Sequence, residues 1–367
     1  MKTLRIYFDF NGASSRYMHR LCDQFEAKEG IRLLRTEREI HSLTRLLCDS
    51  QSLPEMALLP SDMIALADKL HFSPIPGSWP CPAIPELCSA TLQQEGIQLG
   101  LPLLAGNHLL QFYDKRRGEP LQEWQQLLTS GEKAWEGWSC GIDFEEPYWL
   151  IPFLLRFFGW PIGQKSLHLN SPAMSHALQY RQQLQRRGRL HHYHYNGALC
   201  AALRHGEVPA IITGEWEYAN LQAALGEHLG VAPLPRLDGL PCRSFFSTIG
   251  LVFPGMSLQG PHAALLQRFA QWLLTPEVQQ GWQDQAQRQP VREDLATAMT
   301  DQERATISHC IDDCCVMPSH PLMNRAWQAM AHGLKGCQNL PLHPPGRLGQ
   351  KMQHFAQSPL ATEPHHE

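Results

Sequence analysis

Segments of strand length alternate with segments of helical periodicity from the start of the chain. Residues 4–10 alternate apolar and polar side chains, as a half-buried strand does, and residues 16–29 carry an apolar stripe at spacings of three and four. Gly30 is expected to end that helix. Apolar strands are predicted again at 31–34 and 56–59. Strands that alternate with helices are typical of an α/β layer on a parallel sheet, because each crossover helix covers a face of the sheet.

Capping residues predict where further helices begin. Ser14 or Ser15 is predicted to cap the first helix, because a Ser hydroxyl accepts a hydrogen bond from an N–H group that lacks a helical partner. Ser171 is predicted to cap a helix over 172–187, which has a proline at its first position. The Pro- and His-rich end of the chain from His343 is predicted to fray.

Composition excludes two classes of partner. The chain has 367 residues of which 43% are apolar, so it can bury a sizeable core in two domains or one large one. Its formal charge of −4 lacks the basic excess that nucleic-acid binding requires, so we predict no nucleic-acid partner. No apolar stretch approaches the roughly 18 residues of a membrane helix, so we predict no direct membrane insertion.

The N-terminus and the cysteines bear on the cellular compartment. The chain reaches Asp9 before the apolar core of a secretory signal can develop. The 11 cysteines are an odd number, so at least one thiol is unpaired, as is usual in reduced compartments. As the sequence stands we expect a cytoplasmic protein, or a periplasmic one if the sequence is that of a mature fragment.

Common motifs for cofactors and metals are absent from the sequence. It contains no glycine-rich dinucleotide or P-loop motif, no His-Glu-x-x-His and no Gly-x-Ser-x-Gly, so no cofactor is predicted. The clusters at 191–194 and 309–315 offer imidazoles and thiols but lack the paired Cys-x-x-Cys spacing of a structural zinc site. Because the chain has 19 histidines, we interpret these clusters as surface His and semi-buried Cys, and predict no metal site.

Three segments place aromatic side chains beside carboxylates or amides in predicted loops. They are residues 143–149, 214–220 and 317–327. An aromatic face is flat and apolar, while a carboxylate accepts hydrogen bonds from hydroxyls. Sugars present both C–H faces and hydroxyl rims, so this combination predicts a carbohydrate ligand.

The same segments resemble the periplasmic solute-binding proteins of the maltose-binding type, and the resemblance runs in order over nearly the whole chain. Residues 210–220 are similar to that family's strand followed by a Gly-x-Trp-aromatic-Asn turn. Glu146-Pro147-Tyr148 stands where the family has a sugar-contacting Glu-Pro-Tyr, and the segment from Met317 ends in Trp327 as the family's late segment ends in a stacking Trp.

The resemblance implies an α/β fold of the two-lobed type II periplasmic-binding class. Its lobes are discontinuous in sequence, with 1–106 and 251–300 in the N-terminal lobe and 107–250 and 301–367 in the C-terminal lobe. It further implies that a solute, expected to be an oligosaccharide, binds in an interlobe cleft by hinge closure, without catalysis. An ABC permease or a regulatory protein is the implied protein partner.

The resemblance also assigns ligand-binding residues. Trp216 and Trp327 match stacking tryptophans, and Leu59 and Met63 are among the positions that depart from the pattern. The nine residues predicted to bind ligand are Asp9, Asn11, Asp62, Asn107, Glu146, Tyr148, Trp216, Tyr218 and Trp327.

Two alternatives remain open at this point. Because most departures fall in the N-terminal half of the site, the chain could be a cytosolic regulatory module whose degenerate cleft docks a partner protein. A glycosidase using Glu145 or Glu146 with Asp62 would need the two carboxylates about 5–10 Å apart. The sequence does not establish that spacing, so we predict that the protein is not an enzyme.

Overall fold

The computed structural model describes most of the chain, and the described residues form two compact units. Unit 1 comprises Met1–Asn107, Phe246–Thr300 and Val316–His320, and unit 2 comprises His108–Phe245, Asp301–Cys315 and Pro321–Glu367. A search of the described helices finds none with the length and apolar character needed to cross a membrane. The described residues are 2–49, 51–128, 138–187, 189–296, 302–335 and 345–358.

Strands and helices alternate along both units. The strands of the described residues are β1 (Thr3–Phe8), β2 (Arg32–Glu37), β3 (Met56–Pro60), β4 (Gln93–Gln94), β5 (Ile97–Gln98), β6 (Gly100–Gly106), β7 (Leu109–Asp114), β8 (Cys140–Ile142), β9 (Leu190–His192), β10 (Ala210–Gly214), β11 (Leu229–Ala232), β12 (Phe245–Val252), β13 (Gln289–Pro290) and β14 (Cys315–Val316). The helices are α1 (Gly12–Glu29), α2 (Ile40–Asp49), α3 (Ala67–Leu70), α4 (Glu86–Ala90), α5 (Ile151–Arg156), α6 (Pro172–Arg186), α7 (Asn196–Arg204), α8 (Tyr218–Leu225), α9 (Ala263–Leu273), α10 (Pro276–Ala286), α11 (Glu293–Ala296), α12 (Gln302–Asp312), α13 (Pro321–Leu334) and α14 (Pro345–Gln357).

The sheet of unit 1 is mixed. Its strand order is β13-β6-β12-β3-β1-β2, and β14 also pairs with β12. Strands β2, β1 and β3 are parallel, as the alternating pattern predicts, whereas β12 and β6 run antiparallel to their neighbours. The predicted α/β class is confirmed, but the later strands return antiparallel, which a local sequence pattern does not show.

Helix α1 begins earlier than predicted. The Ser15 N–H donates to the Asn11 carbonyl at 3.1 Å, so the helical hydrogen bonds already start at Asn11, and the prediction of a Ser14 or Ser15 cap was wrong. Ser14 is instead buried on the helix face. Gly30 ends the helix as predicted, with a φ of 64° that glycine adopts without a Cβ clash.

The sheet of unit 2 has the order β11-β7-β10-β8-β9. Strands β10, β8 and β9 are parallel to one another, and β7 is antiparallel to both β10 and β11. Helix α6 is capped as predicted, because the Ser171 hydroxyl accepts a hydrogen bond from the Met174 N–H at 3.1 Å.

The chain does not fray over residues 345–358, contrary to the prediction for the C-terminal end. Helix α14 packs on α13 and α6, burying Leu348, Met352 and Ala356, which recur every four residues. Arg325 of α13 donates to the Ala356 carbonyl at 2.7 Å. Burial of these three apolar residues therefore outweighs the local Pro and His content. His343 itself lies outside the described residues.

Among the described residues ten cysteines are free thiols, and most of them are wholly or partly buried. Burial raises the pKa of Cys22, Cys88 and Cys242 to about 12, so these thiols stay protonated and unreactive at neutral pH. Cys81 is exposed.

We expect Cys81 to react with iodoacetamide at least about tenfold faster than the buried thiols of the folded protein. Peptide mapping by mass spectrometry after timed labelling measures each site, and the same reaction in denaturant should remove the difference. Equal labelling rates for Cys81 and Cys22 before unfolding would contradict the buried assignment.

Candidate functional site

The candidate site lies at one edge of the unit 2 sheet, where three neighbouring parallel strands end. β8, β10 and β9 pair in parallel, so their carboxyl ends lie at the same edge. The loops after them carry the segments 143–149, 214–220 and 192–196. Ligand sites in open α/β sheets usually form at such edges, because loops from several strands meet there.

The loop after β8 is held by its own acidic side chains. The Asp143 carboxylate accepts hydrogen bonds from the N–H groups of Glu145 at 2.9 Å and Glu146 at 3.2 Å. Burial raises the pKa of Asp143, and those two backbone donors act in the opposite direction. The Glu146 carboxylate accepts from the Tyr148 N–H at 3.3 Å and caps the 3₁₀ helix Pro147–Leu150. These contacts position Glu146, which remains only half-buried.

Three half-buried aromatic side chains from separate segments converge beside this loop. The ring of Tyr148 has its centroid 6.3 Å from that of Trp216 and 6.0 Å from that of Trp327 on α13. The Tyr148 hydroxyl donates to the Phe245 carbonyl at 3.1 Å, so the ring is fixed at its far end. Trp149 lies behind them, buried, with its indole N–H donating to the Ile212 carbonyl at 2.6 Å. We call Tyr148, Trp216 and Trp327 the aromatic cluster.

Gly214 allows the indole of Trp216 to fold back over the end of β10. A Cβ at Gly214 would overlap the six-membered ring of that indole. Only glycine leaves room for the ring in this position, so the Gly-x-Trp spacing noted in the sequence has a steric cause.

Trp160 is a further aromatic residue near the cluster that the sequence did not point to. Its ring lies 5.7 Å from that of Phe245, which in turn lies 6.2 Å from Trp327. Trp160 is 39% exposed, whereas Phe245 is fully buried. The available signal was an indole within a very hydrophobic segment, but hydrophobicity alone does not distinguish an exposed ring from a core ring.

The segment 214–220 contributes less to the surface than its composition predicts. The carboxylate of Glu217 accepts hydrogen bonds from the side-chain amides of Asn196 at 2.7 Å and Asn220 at 3.0 Å, and the residue is 6% exposed. Glu215 is also buried. Tyr218, predicted to bind ligand, is 1% exposed and belongs to the core of unit 2. Trp216 is therefore the partly exposed member among the acidic and aromatic side chains of this segment.

The other predicted residues lie in unit 1, at one edge of its sheet. Asp9 follows β1 and Asp62 follows β3, and these strands are parallel neighbours. Asn11 is exposed at the start of α1, and Asp62 is 9% exposed in the 3₁₀ helix Ser61–Leu66. Asn107 follows β6, whose end pairs with the start of β12 near the end of β3.

Asn107 is held in a left-handed backbone conformation with a φ of 49°. Its side-chain amide donates to the Ser247 hydroxyl at 3.0 Å, and its carbonyl accepts from the Arg288 guanidinium at 3.4 Å. Asparagine tolerates positive φ better than most residues, so its presence here has a conformational reason besides any role in binding.

Comparison with known proteins identifies the fold and the family. The chain is similar to the maltose/maltodextrin-binding domain MalE from Bdellovibrio bacteriovorus bound to maltotriose, with a TM-score of 0.84, 17% identity, and coverage of 97% of this chain and 98% of that one. A comparison with curated protein sequences finds no match. The family model described as bacterial extracellular solute-binding protein matches residues 20–306. That match spans most of the chain, and it confirms the resemblance drawn from the motifs. The chain therefore belongs to the family of bacterial extracellular solute-binding proteins.

Proposed function

We propose that this solute-binding protein binds a carbohydrate, specifically an oligosaccharide, and does not cleave it. The observation that carries the proposal is the convergence of Tyr148, Trp216 and Trp327 from three separate segments of unit 2. Each of the three rings is partly exposed, whereas large aromatic side chains that serve only in packing are usually buried in the core.

The chemistry of the cluster suits a sugar. Aromatic faces pack against the C–H faces of pyranose rings, and the half-buried carboxylate of Glu146 next to Tyr148 can accept hydrogen bonds from hydroxyls. The similar Bdellovibrio bacteriovorus domain is bound to maltotriose, which supports an oligosaccharide as the ligand.

We further propose that Asp9, Asn11, Asp62 and Asn107 supply polar contacts from unit 1. Each carries a side chain that can accept a hydrogen bond from a hydroxyl. Hinge closure on the ligand, delivery of ligand to an ABC permease and the compartment of the protein remain predictions.

Isothermal titration of the folded protein against maltotriose, maltose, glucose and oligosaccharides of other linkages tests the proposal. We expect saturable binding of at least one oligosaccharide and no increase in reducing ends during long incubation. Glu146→Gln should weaken binding at least about tenfold, since a hydrogen bond to a charged group contributes about 1.5–3 kcal/mol. No binding across the panel by folded protein would contradict the carbohydrate assignment, and release of reducing ends would contradict the non-catalytic one.

A further inference from the structure

A second group of polar side chains lies at the same edge of the unit 2 sheet, outside the aromatic cluster. β8 and β9 pair in parallel with Ile142 opposite His192, so the residues that follow the two strands are neighbours. This brings together Glu145, His192 and His194, whose potential ligand atoms all lie within 4.8 Å of one another.

The spacing of these atoms matches metal coordination. His192 Nε2 and His194 Nδ1 are 3.3 Å apart, and His194 Nδ1 is 3.7 Å from Glu145 Oε2. In a tetrahedral zinc site with Zn–N bonds of roughly 2.0–2.1 Å, two nitrogen ligands lie about 3.3 Å apart. Two imidazoles and one carboxylate are also a donor set that zinc takes in proteins, with a fourth position left for water.

We propose that Glu145, His192 and His194 bind a zinc ion through Oε2, Nε2 and Nδ1. The sequence predicted surface histidines and no metal site at 191–194. For His192 that interpretation was wrong, because its side chain is only 9% exposed and faces the loop after β8.

The surroundings of the three ligands favour a cation. Asp143 Oδ1 lies 3.9 Å from His192 Nδ1, so two carboxylates, of Asp143 and Glu145, flank the imidazoles. The buried guanidinium of Arg181, which donates to the Phe144 carbonyl at 2.5 Å, opposes them with one positive charge.

Proton positions set the cost of binding. As the side chains lie, the Phe144 N–H donates to His192 Nδ1 at 3.0 Å, so the ring proton is on Nε2 and points to His194 Nδ1. Zinc at Nε2 requires the proton on that nitrogen to be released, and Nδ1 takes up a proton in its place. The Nδ1–H group then donates to the Asp143 carboxylate, as the second ring nitrogen of a metal-bound histidine usually donates to a carboxylate. The Phe144 N–H must then give up its contact, so we expect zinc to bind more weakly than at a fully preorganised site.

A metal here would act on the loop that carries the proposed sugar contacts. Glu145 is adjacent to Glu146, and both backbone N–H groups are held by Asp143. Fixing the Glu145 side chain restricts the same loop. Because the three ligands come together only in the folded chain, zinc should also stabilise the folded protein by mass action.

Zinc titration of the full chain, by calorimetry in chelator-free buffer, tests the proposal. We expect one zinc site that His194→Ala and Glu145→Gln each weaken at least tenfold, with an increase of several degrees in the melting temperature of the wild type that is smaller or absent in these two variants. His191→Ala is the matched control, because His191 is an exposed neighbour outside the group and its loss should leave the affinity unchanged.

The variants also separate this site from other histidines, of which the chain has many. His194 is 66% exposed, so its replacement should not disturb folding, and circular dichroism of each variant verifies that. Zinc affinity that is equal in His194→Ala, Glu145→Gln and His191→Ala would overturn the proposal, as would a wild-type protein that binds no zinc.

Discussion

Trp216→Ala is expected to weaken oligosaccharide binding by about 30-fold or more, which corresponds to about 2 kcal/mol. The indole is half-buried between Tyr148 at 6.3 Å and Trp149 at 6.4 Å, so its orientation is already fixed before a ligand arrives. A preordered ring loses little conformational entropy on binding, and its removal takes away an entire stacking surface. Calorimetric titration of the variant with the best oligosaccharide of the panel measures the loss.

Trp79→Ala is the matched control for that experiment. Trp79 is also a partly exposed tryptophan, and its ring lies 5.8 Å from Phe253. The start of β12 pairs with Gly106, and Phe253 follows the other end of this strand. Phe253 therefore lies away from Asp62 and Asn107 within unit 1. If Trp216→Ala and Trp79→Ala both bound the oligosaccharide as tightly as the wild type, the assignment of Trp216 to the binding site would be contradicted.

Gly281→Ala is expected to destabilise the protein by about 1–3 kcal/mol, although alanine is the better helix former. Gly281 lies on α10 where α1 packs against it, and a Cβ there would overlap the hydroxyl of Tyr17. That hydroxyl donates to the Val278 carbonyl at 3.0 Å, and the Tyr17 ring meets Trp282 edge to face at 4.9 Å. The helix-propensity gain of about 1 kcal/mol is smaller than the combined cost of displacing a buried ring and breaking its hydrogen bond.

Thermal unfolding measures this effect, and Gly346→Ala provides the comparison. Gly346 lies in helix α14, and among the described residues no atom outside its chain neighbours and its own helix backbone comes within 4 Å of the position that a Cβ would take, so alanine should leave the stability unchanged or raise it by up to about 1 kcal/mol. In a Tyr17→Phe background the clash with the hydroxyl disappears, while the ring carbon Cζ, 2.5 Å from the Cβ position, still has to move, so the cost of Gly281→Ala should shrink but not vanish. Equal stability of Gly281→Ala and the wild type would show that α1 and α10 are not packed this closely.

Local signals in the sequence were sufficient for many elements of the fold. Gly30 ends α1 and Ser171 caps α6 because each of these effects involves only neighbouring residues. The C-terminal helix α14 was predicted wrongly for the opposite reason. Helix α14 is stabilised by contacts with α13 and α6, and neither contact is visible in the residues 345–357 themselves.

The same division holds for the candidate site. The motifs around Glu146, Trp216 and Trp327 could be recognised in the sequence, since each combines a characteristic aromatic residue with a turn. They led to the correct family. The burial of Glu217 and Tyr218 could not be predicted, because adjacent residues in the 3₁₀ turn Glu215–Glu217 and at the start of α8 point in different directions, and only packing decides which of them reaches solvent.

The sequence by itself thus determined the α/β class, the end of α1 at Gly30, the start of α6 after Ser171 and the family, because periodicity, capping and motif spacing are properties of neighbouring residues. The tertiary structure alone decided which side chains meet: Tyr148 with Trp327, and Glu145 with His192 and His194. These groups are far apart along the chain, and strand pairing is what brings the ends of β8, β9 and β10 to one edge. Pairing of that kind depends on the whole sheet, so no local pattern contains it.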